Sequence, residues 1–237
     1  MLVVNWMSTR LVSVEPEDSM SHAMRLLKEN HIGRLPVIKD GRLVGIVSDK
    51  DLKRAGASDA TTLEVHELAY LLSRVKVKDI MTPKPITAHM HDTIEEAALT
   101  MLENKISGLP VVDDAGRVVA MLTQSDIFRA LISLTGVTRG GVQFALDLPD
   151  QAGSIKEAAD VIRKYGGRMV SILTSYDRVA EGRRRVYIRM KSVDRSKLMQ
   201  IKDELGRVGV ILYILDSREH TKELLALGRS GSRPEGR

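Results

Sequence analysis

Cysteine is absent from all 237 residues. That single absence excludes disulfides, thiolate zinc sites and a cysteine nucleophile, and it fits a reducing compartment, so a cytoplasmic location is expected. Aromatic residues are scarce, with two Phe, one Trp and five Tyr. The core must therefore rest on Val, Ile, Leu, Met and Ala. No run approaches the roughly 18 apolar residues needed to span a bilayer, so no membrane partner is expected. The opening Met1-Leu2-Val3-Val4-Asn5-Trp6 lacks a basic region and a long apolar run, and is not expected to act as a signal peptide. A phosphate-cradling Gly-rich loop ending in Lys-Ser/Thr is missing, as are HExxH and G-x-S-x-G, so catalysis is not expected. The net charge of +5 permits anionic ligands but, spread along the chain, gives no expectation of nucleic acid.

What is present is a repeat. With Met7 placed on Met81, Val12-Ser13 meets Ile86-Thr87 and Asp18-Ser19-Met20 meets Asp92-Thr93-Ile94. Further on, Asn30-His31-Ile32-Gly33-Arg34-Leu35-Pro36-Val37 meets Asn104-Lys105-Ile106-Ser107-Gly108-Leu109-Pro110-Val111. The offset is 74 until Ala115 adds one residue in a turn, after which Ser48-Asp49-Lys50-Asp51-Leu52 meets Thr123-Gln124-Ser125-Asp126-Ile127. Identities run the length of the unit and the gap falls in a turn, as expected of a true duplication.

Each copy reads as strand, helix, strand, turn, strand, helix. Short β-rich segments (11–14 and 86–88) precede an Asp, Asp18 or Asp92, positioned to cap a helix; Glu95 follows Asp92 at capping-box spacing. Ile94, Ala97, Ala98, Met101 and Leu102 recur at helical spacing. Residues 109–112 and 118–122 read as strands buried on both faces and joined by a hairpin turn, with Ile106-Ser107-Gly108 just before a Pro-initiated strand. Between the copies, residues 61–72 read as a helix, Thr61 and Glu64 having capping-box spacing. Such a linker is stiff, so the copies are expected to pack together.

The phrases IGRLPVIKDGRLVGIVSDKDL and ISGLPVVDDAGRVVAMLTQSDI, with that order of elements, resemble CBS motifs, and the tandem resembles a Bateman module. The resemblance covers about 55% of the chain. It implies a cleft for an adenine nucleotide or derivative, so AMP, ADP, ATP or another adenosyl compound is the expected regulatory ligand, with no resident cofactor and no metal. In the second copy, Thr123 and Asp126 stand three apart at a strand end and helix start, where a carboxylate can accept from both ribose hydroxyls. Ile106, Ser107 and Gly108 would wall the purine, with Thr87 and Ser125 beside them. The first copy offers Ser13, Ile32, Gly33, Arg34, Ser48, Lys50 and Asp51 in matching positions. Arg34 and Lys50 bring cationic donors for phosphate, and the family geometry lets Arg34 reach the second copy's ligand. The plain alternative is that each Ser/Thr-x-x-Asp only caps a helix. Two histidines at i, i+2 in His89-Met90-His91 have no accompanying ligands, so they predict no metal site.

After a linker (135–141), residues 142–148 alternate as a strand, Ser154 stands where it can cap a helix over 155–165, and Gly166-Gly167 ends that helix. Residues 169–176 and 186–190 read as a hairpin with a solvated tip at 181–185, from which Arg183-Arg184-Arg185 could also touch phosphate or nucleic acid. A helix over 198–205 and a strand over 210–215 complete a βαββαβ order. The phrase DLPDQAGSIKEAADVIRKYGGRMVSI is similar to the ACT domain, which implies an amino acid held at an interface between copies, with Ala152, Gly153 and Ser154 as donors at a helix N-terminus. The whole, including ATTLEVHELAYLLSRVKVKDIM, resembles bacterial CBS–ACT proteins of the acetoin-utilisation type.

The expected fold class is therefore α/β (α+β): a CBS-motif pair with small three-stranded sheets, then a ferredoxin-like unit. The expected segments are 1–57, a helical linker 58–76, 77–134, a linker 135–141, 142–218, and a largely disordered tail 219–237. Three functions stay open. One is a regulatory sensor of an adenine compound that signals through conformation or oligomerisation, as a homodimer or larger homo-oligomer with an unidentified protein partner. A second is an amino-acid sensor scaffolded by the CBS pair. The third, nucleotide hydrolysis, lacks a recognisable nucleophile or metal cluster.

Overall fold

The computed structural model describes residues 1–58 and 74–226. The helix expected over 61–72 and the tail from 227 onward lie outside the described residues. The chain divides into two compact units, residues 1–130 and 131–237.

In the first unit the first copy supplies α1 (Met20–Glu29), β1 (Arg34–Lys39), β2 (Arg42–Ser48) and α2 (Asp49–Ser58). The second supplies α3 (Val77–Ile80), β3 (Thr82–Pro83), β4 (Ala88–His89), α4 (Ile94–Glu103), β5 (Gly108–Val112), β6 (Val118–Thr123) and α5 (Gln124–Thr135). Strands β1 and β2 meet through Asp40 and Gly41, both at positive φ, a two-residue hairpin turn that follows the strand twist. Ala115 lengthens the corresponding turn of the second copy. There Asp113 holds the loop by accepting from the backbone N–H groups of Ala115 and Arg117 at 3.0 and 2.9 Å.

The helix starts lie one residue beyond the expected caps. Ser19 and Thr93 cap α1 and α4, and the reciprocal partner of Thr93 is Glu96. Asp18 and Asp92 instead bend the chain before the helix, accepting from the N–H of Glu15 (2.8 Å) and His89 (2.6 Å). A hydroxyl at the next position reaches the N3 amide, so it takes the cap and leaves the Asp to the turn. The segment 11–14 is not a strand: only Val14 pairs, as a parallel bridge to Val37. The strands carrying Pro36 and Pro110 begin two residues before the proline. Of the apolar stripe on α4, Ile94, Ala97 and Met101 are buried, whereas Leu102 faces out at 71% exposure.

The two copies exchange their opening arms. Ser8 bridges Met121 of β6, and the equivalent Thr82 pairs with Ile46 of β2. The N–H of Ile94 donates to the Met1 carbonyl at 2.7 Å, and that of Met20 to the Val75 carbonyl at 2.8 Å. Val3 accordingly packs in the core of the second copy with Leu109, Val111 and Leu122, while Val77 packs in the core of the first with Leu35, Val37 and Val47. Each core is completed by chain from the other copy.

The second unit contains β7 (Val142–Pro149), α6 (Ser154–Lys164), β8 (Arg168–Ser175), β9 (Arg183–Lys191), α7 (Leu198–Val208), β10 (Val210–Asp216) and β11 (Thr221–Leu224). The sheet order is β11-β10-β7-β9-β8, with every pairing antiparallel. Its first four βαββαβ strands therefore have the ferredoxin-like arrangement. Helices α6 and α7 cover one face through Ala158, Ile162, Ile201 and Leu205, against Phe144, Leu146, Val186 and Ile188.

Two expectations change here. Residues 221–224, placed in a disordered tail, form the edge strand β11. The three arginines expected at a solvated tip lie within β9. Arg183 is paired with Asp147 (2.8 Å), Arg184 donates to the Ser154 hydroxyl (2.8 Å), and Arg185 donates to the Arg178 carbonyl (3.1 Å). The strand continues through Arg183 and Arg184 because Asp147 on β7 and Asp150 in the following loop answer their charge, whereas Arg185 meets a neutral carbonyl.

Candidate functional site

A cleft of about 550 Å³ opens in the first unit, within the size range of small-molecule sites. One wall comes from the first copy: Arg10, Val12, His31, Ile32, Gly33 and Arg34. The other comes from the second: Ser107, Met121, Thr123, Gln124, Ser125, Asp126 and Arg129, with Ser8 of the exchanged arm beside Met121.

Asp126 is the centre of the second wall. It is 2% exposed, in the first turn of α5. One carboxylate oxygen accepts from the Thr123 N–H and hydroxyl, both at 2.7 Å. The other is held by the Arg129 guanidinium, one turn along the helix. Two charge-assisted bonds and a salt partner offset the desolvation of this buried carboxylate. The first copy repeats the local motif: Asp51 accepts from the Ser48 N–H (3.0 Å) and hydroxyl (2.5 Å). Arg54, the counterpart of Arg129, stands 3.8 Å from Asp51. The Asp51 carboxylate borders a separate hollow of about 190 Å³ with Arg54, Ala55 and Ile80.

Arg34 begins β1 and crosses to the second copy. Its guanidinium donates to the Ser107 hydroxyl and occupies the space that a side chain at Gly108 would fill. Burial pulls its pKa below the ordinary guanidinium value. Arg10 donates to the Asn30 side chain at 3.1 Å. The cleft thus carries Arg10, Arg34 and Arg129 against one carboxylate, a setting that favours an anion.

The sequence pattern grouped candidates by copy, and the structure regroups them. Ile32, Gly33, Arg34, Ser107, Thr123, Ser125 and Asp126 come together in this cleft. Ser13, Ser48, Lys50, Asp51, Thr87, Ile106 and Gly108 do not line it; Ser13, Lys50 and Thr87 are exposed, and Gly108 is buried beneath Arg34. The residues that Asp126 faces come from the other copy because the arms are exchanged and the strand starts meet between the copies. Ser8, Arg10, Val12, His31, Met121, Gln124 and Arg129 escaped the sequence reading. Only Arg129 had a signal, its i, i+3 spacing from Asp126.

In the second unit, Ala152 and Gly153 are exposed and Ser154 is buried. Gly153, at φ +92°, is the cap of α6, and Ser154 is its first helical residue. The Ser154 hydroxyl is engaged, donating to the Gln151 carbonyl at 3.2 Å and accepting from Arg184. Ser154 therefore does not cap the helix; its hydroxyl points back into the loop. Beside it, the buried Nε of Arg184 has no hydrogen-bond partner. Among the described residues, no cluster of His, Asp or Glu could hold a metal ion, and no helix is long and apolar enough to cross a membrane.

A duplicated strand–helix unit that exchanges arms and shares a cleft defines a tandem-motif module. The model of the CBS domain matches residues 3–58 and 77–133. A CBS domain-containing protein of Dictyostelium discoideum is 35% identical over 134 residues, spanning 56% of this chain and 92% of that protein. An inosine-5'-monophosphate dehydrogenase of Korarchaeum cryptofilum is 40% identical over 118 residues, which are 50% of this chain but 22% of that enzyme. The crystal structure of CBSX2 in complex with AMP aligns at 35% identity and a TM-score of 0.47, covering 55% of this chain and 96% of that one. The chain belongs to the CBS domain family.

Proposed function

We propose that the protein is a regulatory sensor that binds an adenine nucleotide or derivative in the cleft between Ile32–Arg34 and Thr123–Asp126. The observation that carries this reading is the meeting, in one cleft, of a buried carboxylate bonded to a hydroxyl with an apolar and glycine wall and three guanidinium groups. Ribose hydroxyls can donate to Asp126, displacing Arg129, whose side chain is 63% exposed and free to swing. The purine can lie against Ile32, with the space beside Gly33, which has no side chain, open to its edge. Arg10, Arg34 and the released Arg129 are placed for phosphate. The ligand regulates by favouring one arrangement of the cleft over another. Turnover is not part of the proposal, which includes a cytoplasmic homodimer or larger homo-oligomer.

The test is thermal unfolding with AMP, ADP, ATP, S-adenosylmethionine and NAD. Ligand at 100 times its Kd adds about 2.7 kcal/mol to the folded state. The rise should vanish in Asp126→Ala and shrink in Thr123→Val. If no adenine compound raises the wild-type melting temperature, or the rise persists in a folded Asp126→Ala protein, the reading is wrong.

For the second unit we propose an ACT domain, supported by its strand order. The unpartnered Arg184 Nε beside Ser154 favours a second reading, in which an amino-acid carboxylate docks there. Amino acids that raise the melting temperature of wild type but not of Arg184→Gln would support it. The resemblance to acetoin-utilisation-type proteins adds no ligand chemistry to either reading.

A further inference from the structure

Averaged over the chain, the net charge is small. Divided between the units it is not: residues 131–237 hold 20 Lys and Arg against 13 Asp and Glu, whereas residues 1–130 hold 16 against 18. The basic character belongs to the C-terminal unit, and such asymmetry points to a polyanionic partner for that part of the chain.

The sheet of this unit has helices on one face. Along β9, Val186, Ile188 and Met190 point into that core, so Arg185, Tyr187 and Arg189 lie on the opposite face; Arg189 is buried there, donating to the Thr135 carbonyl at 3.1 Å, and Arg185 and Tyr187 are half-buried. Ala145 of β7 pairs in register with Tyr187 on one side and Tyr213 on the other. The small alanine leaves the two half-buried rings side by side, 6.4 Å between centroids. Lys222 of β11 extends over the Tyr213 ring at 5.7 Å. At the other end, an open hollow of about 510 Å³ is lined by Tyr187, Ser175, Arg178, Arg185 and Asp177. On the same face of β7, the Asp147 carboxylate is paired with Arg183.

We infer that this outer sheet face binds single-stranded nucleic acid, with unpaired bases on Tyr187 and Tyr213 and the backbone along Arg178, Arg185 and Lys222. Adjacent rings on a sheet stack successive bases, and flanking cations neutralise phosphates. A duplex hides its base faces and cannot use such a platform. The charge complementarity is local, so the binding weakens with salt.

The experiment is fluorescence anisotropy of the full chain with labelled 12-mers of rU, rA and dT, with a duplex of the same length, and with anionic phosphatidylserine vesicles. The expected result is binding of the single strands at least tenfold tighter than the duplex. Tyr187→Ala and Tyr213→Ala should each weaken it roughly tenfold, and Tyr187→Phe should retain it. Arg185→Gln should lower the salt slope by about 0.7. Melting temperatures of the variants confirm that each is folded. The rU and dT arms separate RNA from DNA as the source of the strand. Absence of binding at low salt, equal binding of duplex, or binding unchanged in folded Tyr187→Ala/Tyr213→Ala protein overturns the inference. Vesicle binding that needs the same tyrosines, without oligonucleotide binding, overturns it in favour of a membrane.

Discussion

The guanidinium of Arg34 rests in the space left by the missing side chain of Gly108, its counterpart in the repeat. One sequence position thus carries the longest cation in one copy and no side chain in the other, and the first depends on the second. A Cβ at position 108 would collide with Arg34 and stand 3.0 Å from the Leu122 carbonyl. Gly108→Ala should therefore expel Arg34 from Ser107 and lower stability by about 1–3 kcal/mol. In a double-mutant cycle by urea unfolding, Arg34→Ala should relieve part of that loss. Additive effects would show that the two positions do not compete for the same space.

Asp126 holds the end of β6 to the start of α5 through Thr123. Its replacement by Asn keeps the shape but loses the charge that Arg129 answers. We expect Asp126→Asn to cost about 1–3 kcal/mol in denaturant unfolding and to abolish any adenine-dependent thermal shift. An unchanged shift would remove the carboxylate from the binding scheme.

The exchanged arms predict damage in the copy opposite to the substituted one. Val3→Ala should destabilise by about 2 kcal/mol, as loss of buried methyl groups does, and should speed amide exchange in β6 more than in β2. Val77→Ala should do the reverse. Exchange confined to the copy that carries the substitution would contradict the arrangement.

At the edge of the second unit, Arg195 grips Asp216 with two bonds of 2.9 and 2.8 Å. That guanidinium, helped by the N–H groups of Arg218 and Glu219, lowers the Asp216 pKa to about 2. A carboxylate depressed in the folded state stabilises it above the unfolded value near 3.8 and loses that contribution as pH falls toward 2. Arg195→Leu should lower stability at neutral pH and flatten the loss of stability between pH 4 and 2. An equal loss at pH 7 and pH 2 would mean that Arg195 acts through packing alone.

Local features of the first unit were legible because they depend on neighbours in sequence. Asp40-Gly41 predicts its turn from backbone preference, and Ser48 or Thr123 meets Asp51 or Asp126 within one helix start. The caps shifted by one residue because Ser19 and Thr93 compete with the adjacent Asp for the same N–H groups. Strand β11 was missed because a short, exposed edge strand has no apolar alternation to announce it. The fate of Arg183–Arg185 was hidden for another reason: Asp147 and Ser154, which hold two of them, lie some 30 residues away.

By itself the sequence determined that one unit is written twice, that each copy keeps a hydroxyl and a carboxylate three residues apart, and that a βαββαβ unit follows. These are periodicities and short-range bonds, set by helix and strand geometry. Only the tertiary structure decided which parts meet. The arms cross because Val3 and Val77 complete cores outside their own copies, so the cleft joins Ile32–Arg34 to Asp126 rather than to Asp51. Burial of apolar side chains is non-directional along the chain, and it selects the partner that excludes water best, however far away in sequence.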